Sequence, residues 1–155
     1  PGTAGTSAGP TDPAALPMAA RTKARKRALD LLFEAEQRGV NARDLLDERV
    51  LAPVTPAPLP EYTAVLVRGV VDNWRSINEA LETYAKGWSL ERMPAVDRAL
   101  LRVSAYEVLY VEDVPDGVAV SEAKNLATEL STDNSPQFIG GLLTKLSEVK
   151  SSLVD

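Results

Sequence analysis

Residues 21–27 read Arg-Thr-Lys-Ala-Arg-Lys-Arg, five cations and no acid, directly ahead of an apolar helical stretch. Cations at this density suit electrostatic capture of a polyanion such as a nucleic-acid backbone. The whole chain carries −5, so taking that +5 away leaves −10 on the rest, the pattern of an acidic body with one basic docking patch. The placement also opposes local energetics. A helix N-terminus carries partial positive charge, and each nearby cation weakens it by roughly 0.3–1 kcal/mol. Yet Arg21, Lys23, Arg25, Lys26 and Arg27 come first, and Asp30, Glu34 and Glu36 follow. Such a conflict is where function is expected. At ~100° per residue, Lys23, Lys26 and Arg27 fall opposite the apolar stripe, while Arg25 projects from another side. The competing reading is a solvated basic end that pairs with acids elsewhere on the body.

Two other places carry usable chemistry. The segment 132–141, TDNSPQFIGG, opens a helix whose free N–H groups can meet phosphate. Asn134, Ser135 and Gln137 there can hydrogen-bond bases, and Phe138 offers a stacking face. The alternative is a capped loop, a core phenylalanine and glycines that permit close packing. Asp97, Arg98 and Arg102 lie within an otherwise apolar stretch. Arg98 and Arg102 share a helix face. Arg102 can pair with Glu107 or cap a carbonyl, and Asp97 can accept hydrogen bonds from a nucleobase.

The catalytic inventory is thin. With no Cys and no His, the sequence offers no disulfide, thiol nucleophile, histidine base or common zinc site. No phosphate-binding glycine loop, nucleophile elbow or calcium loop occurs. A binding protein without metal or cofactor is expected, not an enzyme. No apolar run approaches the ~20 residues of a membrane span, and the opening residues lack the order of a signal peptide, so a cytoplasmic protein is expected.

The elements that must position these residues are all helical. Residues 1–17 are dense in Pro and Gly and read as a disordered extension or an expression remnant, ahead of one domain over 18–155. A first helix is expected over about 22–38, with Ala24, Ala28, Leu31, Leu32 and Ala35 buried and Gly39 ending it. Asn41 caps a second helix through about Val50. A loop with Pro53, Pro56, Pro58 and Pro60 follows. One long helix is then expected over about 61–85, with Tyr62, Val65, Leu66, Val70, Ile77, Leu81 and Tyr84 in the core and Gly87 beyond its end. Ser89 caps a single turn, and Pro94 opens the most apolar helix, the central one, through about Tyr110. Further helices span about 118–130 and, with Ser135 as cap and Pro136 at the first position, about 136–150. The fold class is all-α, six or seven helices, without strands or repeats.

Three blocks in order carry a family likeness: 24–39 (ARKRALDLLFEAEQRG), 87–110 (GWSLERMPAVDRALLRVSAYEVLY) and 113–143 (DVPDGVAVSEAKNLATELSTDNSPQFIGGLL). They resemble the NusB (N-utilization substance B) family over nearly all of 21–146. The resemblance implies a NusB-like fold of two packed three-helix bundles. It also implies pairing with NusE, a ribosomal protein, and loading of the pair onto boxA RNA. With other Nus factors, such a complex helps RNA polymerase read through terminators, chiefly on ribosomal RNA operons. By position, the arginine-rich RNA segment falls on Arg21, Lys23, Arg25, Lys26 and Arg27, the RNA-facing acid on Asp97, and the loop-plus-helix surface on Asn134, Ser135, Gln137 and Phe138. Asn134 stands where the family usually has Asp, and Gly140 where it usually has Asn. Some members self-associate through the surface that RNA would use, so a homodimer is among the implied assemblies. Two other readings stand beside this one. One is a NusB-like domain separated from a ribosomal-RNA cytosine methyltransferase. The other is a helical module that binds only protein.

Overall fold

The computed structural model describes residues 18–153. The expected extension over 1–17 lies outside the described residues. Seven α-helices and one 3-10 turn make up the described chain: α1 (Met18–Arg38), α2 (Ala42–Leu51), α3 (Glu61–Asp72), α4 (Trp74–Tyr84), the turn Leu90–Arg92, α5 (Ala95–Tyr110), α6 (Asp116–Leu130) and α7 (Ser135–Leu153). No helix among the described residues is long and apolar enough to cross a membrane.

Local chemistry accounts for most boundaries. Gly39, at φ +67°, donates its N–H to Glu36 while Val40 donates to Ala35, closing the end of α1 with two carbonyls satisfied. Asn41 then accepts from the N–H groups of Arg43 and Asp44 and caps α2, as expected. Pro94 precedes α5, where a missing N–H costs nothing.

The expected long helix over 61–85 is two helices. Asn73, at φ −115° and ψ 26°, ends α3 and starts α4. Its side-chain amide donates to the Gly69 carbonyl at 2.9 Å, a bond that competes with helix continuation. The apolar spacing runs through the break, so periodicity gave no sign of it. Gly69 has a packing reason of its own, because the Tyr106 ring lies where a Cβ would stand. Val65, expected in the core, is exposed.

Helices α1, α2 and α3 pack as one bundle, and α5, α6 and α7 as a second with α4 alongside. Helix α5 touches both groups, and 11 of its 16 residues are buried, including the polar Asp97, Arg102 and Glu107. It runs antiparallel to α1: Arg25 meets Glu107 at one end, and Glu36 meets Arg98 at the other.

Candidate nucleic-acid interface

The five cations of α1 divide by direction. Ala24 and Ala28 are fully buried, and this fixes which neighbours face inward. Arg25 is only 3% exposed. Its Nε donates to Glu107 at 2.7 Å and its Nη1 to Glu122 at 3.0 Å. Burial works against the Arg25 charge, but the bond and the charges of Glu107 and Glu122 outweigh it and hold the guanidinium pKa above its usual value. The second Glu107 oxygen accepts from the Tyr62 hydroxyl at 2.5 Å, and burial beside that carboxylate keeps Tyr62 protonated as the donor. Arg21 also turns inward, with its guanidinium 4.6 Å from the Tyr62 ring centre and 3.3 Å from Asp113.

Lys23, Lys26 and Arg27 face outward, on the arc the helical period gives them. Lys26 reaches Glu129 near the end of α6. Lys23 and Arg27 form no ion pair among the described residues.

The second patch begins where α6 ends. Asp97, 4% exposed, accepts from the Ser131 hydroxyl at 2.5 Å on one oxygen and from Ser135 at 2.8 Å on the other. Each hydroxyl has one proton, so with Ser135 committed to Asp97 the 2.9 Å contact to Thr132 is one in which Thr132 donates. Asp97 therefore ties the 131–135 loop to the start of α5. This revises the expected cap. The Asn134 carbonyl accepts the first helical bond, from Phe138, and α7 opens one residue earlier than expected.

Beside this knot lies a cavity of about 330 Å³, lined by Trp88, Met93, Pro94, Asp97, Asn134 and Phe138, among others. Trp88 is 55% exposed and meets Phe138 edge-on, ring centres 6.4 Å apart. Asn134 and Gln137 are exposed, Phe138 is half-buried and Ser135 is buried. Helical periodicity does not single out Trp88. Its signal was an aromatic directly after Gly87, in a turn too short to bury it.

Both patches touch the end of α6. Lys26 contacts Glu129, and two residues on Ser131 contacts Asp97, so the end of α6 joins the basic arc to the aromatic cavity. Arg98 and Arg102 do not join them. Arg98 caps the Leu90 and Met93 carbonyls and pairs with Glu36. Arg102 was expected to meet Glu107 or a carbonyl. Instead it bonds Asn78 and Glu36 and lies 4.2 Å from the Trp74 ring centre, because Glu107 sits at the far end of α5 beside Arg25. No group of three metal-ligating side chains occurs among the described residues.

Residues 22–148 match the model of the NusB family. A transcription antitermination protein NusB of Pseudarthrobacter chlorophenolicus is 58% identical over 137 residues, covering 88% of this chain and 99% of its own. The NusB structure of T. maritima superposes with a TM-score of 0.73 at 30% identity, covering 83% of this chain and 90% of its own. A crystal structure of the antitermination factors NusB and NusE with dsRNA gives 0.73 at 23% identity, covering 86% and 99% respectively.

Proposed function

The chain belongs to the NusB family of transcription antitermination proteins, and on that premise we propose that it pairs with NusE and holds boxA RNA on the face that joins α1 to α7. In this reading it is a cytoplasmic binding protein without catalysis. It works with other Nus factors on RNA polymerase, chiefly in ribosomal RNA operons.

The observation that carries the reading is the junction of two unlike surfaces. Lys23, Lys26 and Arg27 supply charge for phosphates, and Trp88 and Phe138 supply rings for unpaired bases. Asn134 at the cavity rim and the exposed Gln137 beside Phe138 supply hydrogen bonds to base edges. Arg25 and Arg21 take a different role: held by Glu107, Glu122 and Asp113, they fix the orientation of the outward cations. Asp97 and Ser135 shape the loop that presents Asn134.

The test is a titration of boxA-type and scrambled RNA, with and without NusE, over a salt series. Parent protein is expected to prefer boxA and to bind it more tightly with NusE. The double variant Lys23→Ala/Arg27→Ala is expected to show a salt slope shallower by about 1.4, at about 0.7 per phosphate contact. Trp88→Ala is expected to weaken binding by about 1–3 kcal/mol with the slope unchanged. Failure of parent protein to bind either RNA in both conditions refutes the reading.

A further inference from the structure

Six of the 17 Lys and Arg residues make no ion pair among the described residues: Lys23, Arg27, Lys86, Arg92, Lys124 and Lys145. In a chain with 22 acids an unpaired cation is the exception. Two of the six belong to the α1 arc. Three of the others, Lys86, Lys124 and Lys145, line a single groove.

That groove is open, has a volume of about 980 Å³ and adjoins the aromatic cavity at Phe138, which lines both. It runs from the end of α4 along the side of α7. Its floor is made for a long cation. A Cβ on Gly140 would stand 2.8 Å from Cδ of Lys124 and 3.1 Å from its Cγ, so the absent side chain is what lets the lysine stem lie across α7. A stem packed along the surface leaves its ammonium at the solvent edge with part of its freedom already lost. Next to it Gly141 has no atom within 4 Å of where a Cβ would stand, so helix backbone is open to close approach there. Lys145 follows Gly140 by five residues, about 7.5 Å further along the helix. Asp133 and Glu148 also line the groove. They lower its net charge to +1 and confine a polyanion's favourable track to the three lysines.

Resting on the RNA reading above, we propose that this groove carries the phosphates of the RNA strand as it leaves the bases held at Trp88 and Phe138. The interface is then longer than the basic arc and the aromatic cavity together. Lys86, Lys124 and Lys145 act as backbone contacts that add affinity without reading sequence.

The experiment compares a single-stranded boxA-type core of about five nucleotides with two RNAs of about twelve, extended on the 5′ or the 3′ side, a range typical of single-strand sites. NusE is present throughout. Parent protein is expected to bind one extended RNA about tenfold more tightly than the core. The triple variant Lys86→Ala/Lys124→Ala/Lys145→Ala is expected to lose that gain, with a salt slope shallower by about 2 on the extended RNA and unchanged affinity for the core. The triple Gln variant keeps the stems and is expected to behave alike, which separates charge from packing. The groove proposal fails if either triple variant binds the extended RNA as parent does. It fails equally if the core is weakened as much as the extended RNA, because the lysines then act only as a distant field. If parent binds the core but gains nothing from extension, this inference alone falls. If parent binds none of the RNAs, the reading it rests on falls with it.

Discussion

At the α1 tip, five cations that look alike in the sequence divide by the direction in which they leave the helix. Around Asp97 the opposite happens, as one acid gathers hydroxyls from two segments into a single knot. The first region is built from opposite charges brought together over long sequence distances, Arg25 with Glu107 and Glu122. The second is built from neutral donors on an acid. In both, the buried polar group positions its neighbours, and the proposed function assigns binding to the outward ones. A charged residue in a binding segment is therefore not by that fact a contact. Burial separates the two roles where residue type does not.

The comparison breaks most visibly at Arg25. Removing its side chain leaves Glu107, 1% exposed, with only the Tyr62 hydroxyl, and an uncompensated buried charge costs about 3–5 kcal/mol. Urea unfolding of Arg25→Ala is expected to show a loss of that size. Lys23→Ala, two residues away, is expected to stay within about 0.5 kcal/mol of parent. Similar losses for the two variants would erase the distinction between inward and outward cations.

The Asp97 knot is the next largest effect. In Asp97→Ala the Ser131 and Ser135 hydroxyls lose their acceptor, at a cost of about 1–3 kcal/mol. Amide exchange over 131–138 is expected to speed up more than exchange in α1, and RNA binding to weaken although the side chain is buried. Unchanged exchange in that loop, together with weakened binding, would make Asp97 a direct contact instead.

Much of this was legible in the sequence. The i, i+4, i+7 stripe of α1, the Gly39–Asn41 stop and start, and the apolar α5 follow from local chemistry, and the chain kept them. The outward arc of Lys23, Lys26 and Arg27 followed from the helical period alone. What was hidden depended on contacts far apart in sequence. Arg25 and Glu107 are 82 residues apart, and nothing local ties one to the other. Asn73 was hidden for another reason: a single side-chain bond to Gly69 ends a helix that the apolar pattern would continue. The Ser135 hydroxyl left its own helix for Asp97, a choice that capping rules do not foresee.

Asn134 sharpens the comparison at its finest grain. It is exposed at the cavity rim, one residue before the buried Ser135, and it stands where the resemblance leads one to expect Asp. Its side chain makes none of the hydrogen bonds that hold the knot, so Asn134→Asp should leave stability within about 0.5 kcal/mol of parent. The added charge would face phosphates, and RNA binding is expected to weaken several-fold at low salt. With a Debye length of about 10 Å at 0.1 M and about 3 Å at 1 M, the difference should shrink as salt is raised. Equal affinity of variant and parent at every matched salt concentration would place the RNA backbone away from this rim. A difference that persists at high salt would mean that the Asn134 amide reads a base edge, because a hydrogen bond lost at short range is not screened.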